Sequence, residues 1–405
     1  MANPFIEREE LYGAQNYAPL PVVLVRGQGI YVFDHVGNRY IDMMSAYSAV
    51  SHGHCHPKIV KTLQDQAAQL GVVSRAFYTN QLSPFLERLC RLTGFDKVLP
   101  MNTGAEAVET ALKAARKWAY TVKGVAKDKA EVIACEGNFH GRTIAIVGMS
   151  TEPQYQAGFG PFPSGFKIIP FGDVDALERA ITPNTAAFLV EPIQGEGGII
   201  IPPEGYLQKC AEICKKHRVL MICDEIQTGL GRTGKLLAFQ HENLKPDAVL
   251  LGKALGGGLI PVSALLCSKE MMDVFTPGDH GSTFGGNPLA AAVGKAALDV
   301  LIEENLIDQA ATLGEYFVKC LRNIQSPLIK EVRGKGLLIG IELNNNYPAR
   351  DVCIRLMNHG VLTKETHHTV IRLAPPLVIN KEEIDSVIDA LKDVFAELDL
   401  EAVNA

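Results

Sequence analysis

The chain reads as an α/β protein, a mainly parallel central sheet flanked by helices with a smaller α+β part attached. Apolar runs of four to six residues at 132–135, 187–190, 219–223, 248–251 and 263–267 alternate with helical segments at 105–120, 205–216 and 289–303. Alternation of this kind marks crossover units, whose strands are covered on both faces and so read as unbroken apolar stretches. No internal repeat or low-complexity tract interrupts the pattern. Gly and Pro are spread as loop punctuation and gather in no linker.

Ahead of this core, residues 20–50 predict short strands at 22–25, 29–34 and 39–42, with Gly27, Gly29, Gly37 and Asn38 marking the turns. Beyond about Ile302 the pattern predicts a long helix, a strand pair around 336–343 and 370–373, and an amphipathic helix over 381–398. The divisions expected are an N-terminal segment over 1–50, a large domain over 51–300 and a small domain over 301–405.

The 405 residues, 47% hydrophobic and 21% charged, suffice for a substantial core. A net charge of -6, with both signs mixed along the chain, offers no extended basic surface for nucleic acid or anionic membranes. Small-molecule chemistry is therefore expected. The nine cysteines form no CxxC pair or regular spacing, which fits a reducing compartment. The first ten residues are polar and acidic, unlike a signal or transit peptide. The longest apolar stretch, 248–267, is broken by Lys253, three glycines and Pro261 and makes a poor membrane span. A cytoplasmic protein is expected.

Chemistry concentrates at strand ends. Val219-Leu-Met-Ile-Cys-Asp-Glu-Ile-Gln-Thr-Gly229 is an apolar strand closing on two carboxylates. Ligands of open α/β sheets lie at the carboxyl ends of strands, so Asp224 and Glu225 stand where a cofactor would bind, although a carboxylate there can equally cap the loop. Asp247-Ala-Val-Leu-Leu-Gly-Lys253-Ala-Leu-Gly-Gly-Gly258 is a second such strand, ending in a lysine beside glycines that admit a ligand closely. Desolvation of that lysine lowers its pKa and makes it a nucleophile. Together the two suit pyridoxal phosphate (PLP), held by the lysine as a Schiff base, with a carboxylate keeping its ring nitrogen protonated. Met101-Asn-Thr-Gly-Ala-Glu-Ala107 opens a helix whose N-terminus suits the phosphate, or is simply an N-cap by Asn102 or Thr103.

With these segments the sequence resembles the class III (ω-amino) aminotransferases of PLP fold type I, in their ornithine branch. The likeness also runs through Gly13-Ala-Gln-Asn-Tyr-Ala-Pro-Leu-Pro21, Ser45-Ala-Tyr-Ser-Ala-Val50, Gly53-His-Cys-His-Pro57, Ser74-Arg-Ala-Phe-Tyr78, Phe139-His-Gly-Arg142, Val190-Glu-Pro-Ile-Gln-Gly-Glu196, Gly281-Ser-Thr283 and Ile371-Arg372. It implies that residues 1–50 join the C-terminal part in the smaller domain.

It further implies that Lys253 holds the cofactor and moves the proton, that Asp224 partners the ring nitrogen, and that Gln227 contacts the ring oxygen. Phe139 and Ile226 would flank the ring. Thr103, Gly104 and Ala105 would form the phosphate turn, completed by Ser282 and Thr283 of a neighbouring subunit, hence a homodimer. Tyr17 and Arg142 match the residues that hold ornithine's α-carboxylate, and Tyr47 lines the same pocket. Arg372 would bind the α-carboxylate of glutamate, with Glu196 gating it against ornithine. The implied substrates are ornithine and 2-oxoglutarate. At His140, animal ornithine enzymes commonly carry tryptophan, whereas histidine is usual in acetylornithine relatives. The implied alternatives are other ω-amino donors (acetylornithine, 4-aminobutyrate, a polyamine) or a racemase or decarboxylase of the same fold.

Other features point elsewhere only weakly. His52, His54, Cys55 and His56 lie along one extended loop, where neighbours rarely converge on a metal. Gly229-Leu-Gly-Arg-Thr-Gly-Lys235 nearly spells a phosphate-binding loop, yet Leu236 stands where its magnesium-binding Ser or Thr belongs.

Overall fold

The computed structural model describes residues 3–404. Three strands come first: β1 (Leu24–Gln28), β2 (Tyr31–Asp34) and β3 (Arg39–Asp42). Seven more build the central sheet, namely β4 (Lys97–Met101), β5 (Glu131–Cys135), β6 (Phe166–Ile169), β7 (Thr185–Val190), β8 (Leu220–Asp224), β9 (Ala248–Leu251) and β10 (Ser263–Cys267). Their spatial order is β4-β10-β9-β8-β7-β5-β6. The pairings from β9 through β6 are parallel, while β10 runs antiparallel to both its neighbours.

The exception has a physical cause. A parallel return needs a crossover of a dozen or more residues, usually a helix. The link from β9 to β10 holds only a short 3₁₀ turn, Lys253–Gly256, followed by Gly257 and Gly258 at positive φ, so the chain doubles back.

Sheet pleating sends successive side chains to opposite faces. Val249 and Leu251 of β9 join one apolar cluster, Ala248 and Leu250 the other. The second cluster is roofed by the helix Gly104–Trp118, whose Ala107, Val108, Ala111, Leu112, Ala115 and Trp118 recur at helical spacing and are all buried. Each fully buried aliphatic side chain of Val or Leu size contributes about 1.5–3 kcal/mol relative to exposure, which makes these two faces the main stabilising layers. A capping box between Thr103 and Glu106 starts that helix. One π turn, Ala119–Lys123, ends it at Gly124, whose φ of 88° stops propagation.

The remaining strands are β11 (Ile329–Lys335), β12 (Leu338–Leu343), β13 (Val361–Leu362), β14 (Lys364–Thr366) and β15 (Val370–Leu373). An antiparallel sheet runs β11-β12-β15-β14, and β13 pairs in parallel with β3, Val361 opposite Ile41. The first residues after the N-terminal strands make a tight left-handed turn, Ser45–Ser48, with φ of 39°, 46°, 59° and 76°. L-residues in that conformation each cost about 1–2 kcal/mol. The first strand lies later than the sequence predicts, at 24–28, because an exposed edge strand reading Leu-Val-Arg-Gly-Gln carries no apolar alternation. Among the described residues no helix is long and apolar enough to cross a membrane.

Candidate active site

Five strand ends converge on one cavity of about 210 Å³. The chain leaving β4 supplies Gly104 and Ala105, that leaving β5 supplies Phe139, His140 and Gly141, and Glu191 follows β7. Asp224 ends β8, with Ile226, Gln227 and Thr228 behind it, and Lys253 follows β9. Such a crevice at the carboxyl ends of parallel strands is the place where open α/β sheets bind ligands.

Asp224 is buried at 4% exposure. One oxygen accepts the Ile226 N–H at 3.1 Å and the other meets His140 Nδ1 at 2.7 Å. Burial favours neutral His140, but the hydrogen bond and charge of Asp224 outweigh it and raise the imidazole pKa. Glu191 behaves differently. Burial pushes its carboxyl up to about 7, with His140 opposing and Asp224 adding to the shift. Its oxygens accept the Phe139 N–H at 3.0 Å and the Gly195 N–H at 3.4 Å, tying two loops of the cavity together.

Lys253 is half-buried, with φ of 46°. Burial lowers its pKa, Glu196 and Asp224 raise it, and Arg372 lowers it again. A Cβ at Gly195 would fall 1.7 Å from Gln227 Oε1 and force that side chain out of the cluster.

A second group sits on the antiparallel side. Arg372, carried by β15 and 1% exposed, donates to both oxygens of Glu196 at 2.7 and 3.0 Å. Burial alone would raise the Glu196 carboxyl, yet Arg372 holds it below its ordinary range, and Lys253 adds to that effect. The Arg372 guanidinium lies 5.2 Å from the Tyr47 ring. Arg142 stacks on Tyr155 at 3.7 Å and stands 5.7 Å from Phe139.

Of the residues singled out in the sequence, Gly104, Ala105, Phe139, Asp224, Ile226, Gln227 and Lys253 line the cavity together. Thr103 stands beside it as the exposed N-cap. Glu196, Arg372, Tyr47 and Arg142 form the adjoining polar groups described above. Three are not brought in by this chain. Tyr17 is 72% exposed, Thr283 is exposed, and the half-buried Ser282 accepts a hydrogen bond from Asn102 Nδ2 at 2.8 Å. The histidines of the 52–56 loop part company: His52 meets the Ala297 carbonyl, His54 meets Asp42 and His56 meets Glu304.

Sequence reasoning gave no role to Glu191, Tyr155 or the His140–Asp224 pair. Glu191 was within reach of the strand-end argument, because it follows the fully buried run of β7 just as Asp224 ends β8. The other two depend on contacts between distant segments.

The donor set suits PLP. Among the described residues Gln227 Nε2 and His140 Nε2 are buried without a partner, and both residues line the cavity. The capping box occupies the Thr103 and Glu106 N–H groups and leaves those of Gly104 and Ala105, at the positive end of a fifteen-residue helix, for a phosphate. A lysine and a buried carboxylate complete the set.

Comparison with known proteins agrees. The aminotransferase class-III family model matches residues 12–395. The ornithine aminotransferase of Geobacillus sp. (strain WCH70) is 61% identical over 391 residues, 96% of this chain and 98% of that protein. A crystal structure of the ornithine aminotransferase from Toxoplasma gondii ME49 superposes with a TM-score of 0.96 at 47% identity, covering 98% of this chain and 95% of that one. The acetylornithine aminotransferase from Elizabethkingia anophelis gives 0.89 at 49% identity, covering 97% and 98%. A likeness of this depth, over nearly the full length, means that the chain belongs to the class III aminotransferases, which are PLP-dependent enzymes.

Proposed function

We propose that this protein is an ornithine δ-aminotransferase. It moves the δ-amino group of L-ornithine to 2-oxoglutarate, giving glutamate and glutamate 5-semialdehyde, which closes to pyrroline-5-carboxylate. The observation that carries the reading is the bidentate Glu196–Arg372 pair beside the cavity. A site that takes a diamine and a dicarboxylate in turn needs an arginine that can be covered for one and uncovered for the other. The ornithine aminotransferases at 56–61% identity support the same reading.

PLP, when bound, supplies an electrophilic carbonyl and an electron-withdrawing ring that stabilises negative charge on the neighbouring carbon. The chain's residues do the rest. Lys253 would hold the cofactor and act as the acid and base at the substrate carbon bearing the nitrogen. Asp224 would keep the ring nitrogen protonated, and His140 holds Asp224 in place. Gln227 would donate to the ring oxygen, Phe139 and Ile226 would flank the ring, and Thr103, Gly104 and Ala105 would cradle the phosphate. Tyr17 and Arg142 hold the ornithine α-carboxylate with Tyr47 lining that pocket. Glu196 covers Arg372 while ornithine reacts and releases it to the α-carboxylate of glutamate or 2-oxoglutarate.

The same proposal includes a cytoplasmic homodimer in which Ser282 and Thr283 serve the partner's phosphate site. It also includes the division at 1–50, 51–300 and 301–405, supported by the pairing of β13 with β3. Such an exchange would link arginine breakdown to proline synthesis.

A second reading, with N-acetylornithine as donor, draws on His140 and on the 49% identity to the Elizabethkingia anophelis protein. One experiment separates the two. PLP-loaded protein is mixed in single turnover with ornithine, N-acetylornithine and 4-aminobutyrate in turn, following cofactor absorbance and trapping pyrroline-5-carboxylate. Ornithine should react fastest and yield the trapped product; a faster reaction with either other amine overturns the assignment.

A further inference from the structure

Arg232 lies inside the segment that nearly spells a phosphate-binding loop, and it is fully buried. Among the described residues its guanidinium faces no carboxylate at hydrogen-bond distance. Instead Nη1 donates to the Leu337 carbonyl at 2.9 Å and to the Pro375 carbonyl at 2.5 Å, while Nη2 donates to Ser45 Oγ at 3.2 Å and Ser51 Oγ at 3.0 Å. Keeping a cation there is costly: burial pushes its pKa down to about 9, with Asp42 alone pulling back.

Both serines pass the grip on. Ser45 Oγ donates to the Ala374 carbonyl at 2.5 Å and Ser51 Oγ to the Ser48 carbonyl at 2.9 Å. Asp42 Oδ1 takes the Met44 and Ser45 N–H groups at 2.8 and 2.9 Å. The left-handed turn Ser45–Ser48 is thus clamped at both ends. Residues held so far from their preferred backbone persist only where the surroundings over-determine them. The carbonyls gripped on the other side, at 374 and 375, directly follow the strand that carries Arg372. One guanidinium therefore fixes the turn bearing Tyr47 against the strand bearing Arg372, whose cation lies 5.2 Å from the Tyr47 ring.

We propose that Arg232 is a positioning residue for the glutamate half of the reaction, acting through the Ser45–Ser48 turn to set Tyr47 against Arg372. This rests on the reading of Arg372 as the glutamate carboxylate site. With ornithine Arg372 stays paired to Glu196 and the carboxylate is held by Tyr17 and Arg142, with Tyr47 only lining their pocket, so the placement of Tyr47 against Arg372 matters less. With glutamate it must meet the substrate directly, and small displacements of a substrate-holding group are expensive in rate. Lysine cannot substitute, since a single nitrogen does not span four acceptors on two sides.

The test compares the half-reactions of PLP-loaded protein with glutamate and with ornithine. Ser45→Ala, which keeps the arginine and removes one of its acceptors, should lower the glutamate reaction roughly tenfold, mainly through weaker binding, and the ornithine reaction less than about twofold. Arg232→Lys should show the same selectivity more strongly, and Ser45→Ala alone decides if that variant does not fold. In a Tyr47→Ala background, Ser45→Ala should add less than about twofold to the glutamate loss. Equal losses for both substrates, or a tenfold effect that persists without Tyr47, overturn the proposal. If the unmodified protein reacts with glutamate and not with ornithine, the ornithine reading fails while the Ser45–Tyr47 coupling is still measured on glutamate.

Discussion

Glu191 and Glu225 follow or close neighbouring strands, both lie buried, and burial pushes both carboxyls up to about 7. Their partners differ. Glu225 anchors a loop through Thr228 Oγ1 at 2.6 Å and the Ala238 and Phe239 N–H groups at 2.9 Å, whereas Glu191 accepts from the N–H groups of Phe139 and Gly195. An acid whose pKa rises on folding binds its proton more tightly in the native state. Its stabilising contribution is complete below the ordinary value of 4.5 and is lost as pH climbs through about 7. The cofactor-free protein should therefore lose stability to urea between about pH 4.5 and pH 7. Glu191→Gln, which keeps an acceptor for the Phe139 N–H, should flatten that slope by an amount on the order of 3 kcal/mol across the window. An unchanged slope would place the pH response elsewhere. At this scale, Asp224 and Lys253 were legible in the sequence because each sits where an apolar strand stops, which one dimension records. The pairing of His140 with Asp224 spans 84 residues of chain and leaves no local trace.

At the scale of elements, backbone crowding decides more than propensity does. Gly314 lies within the helix Leu306–Arg322, and a Cβ there would fall 2.2 Å from the Gly336 carbonyl oxygen. Gly336 in turn packs on the backbone of Thr233. Alanine would favour the helix by about 1 kcal/mol, but the added methyl meets backbone that cannot rotate away, and overpacking costs about 1–3 kcal/mol or more. Gly314→Ala should lower the thermal midpoint. Gly294→Ala, where the nearest atom at 2.8 Å belongs to the Phe85 side chain, should lower it less. The reverse order in a melting experiment would show that this seam gives way. Sequence patterning found the buried strands β5, β7, β8, β9 and β10 to within two residues, since each is a short apolar run bounded by polar or turn residues. It missed β11, which reads Ile-Lys-Glu-Val-Arg-Gly-Lys. There Arg333 is buried by bonds to Glu331, Glu342 and the carbonyls of Gly198 and Ile199, so a charged residue occupies a place where apolar periodicity expects none.

At the scale of the molecule, a single chain leaves apolar surface and site residues without company. The helix Pro4–Tyr12 buries none of its own side chains, and Tyr17, Leu70, Val72, Phe77, Tyr78 and Phe284 are all exposed. Thr283 sits among the exposed group, while Ser282 already bonds to Asn102 at the helix start of its own chain. Two arrangements follow: the 281–283 loop completes its own phosphate turn, or a two-fold dimer delivers it to the partner. Subunit complementation distinguishes them. Lys253→Ala leaves Thr283 intact and removes the lysine, whereas Thr283→Arg leaves the lysine and obstructs the phosphate contact, so each homodimer should be inactive. In a mixed dimer with Thr283 acting across the interface, one site combines the intact lysine of one chain with the intact threonine of the other. Random reassortment of equal amounts should then restore roughly a quarter of wild-type activity, because half the dimers are mixed and each carries one good site. If Thr283 serves its own chain, every site in the mixture lacks one of the two residues and no activity returns. The same two homodimers assayed immediately after mixing, before their subunits exchange, should stay inactive under either arrangement and serve as the control.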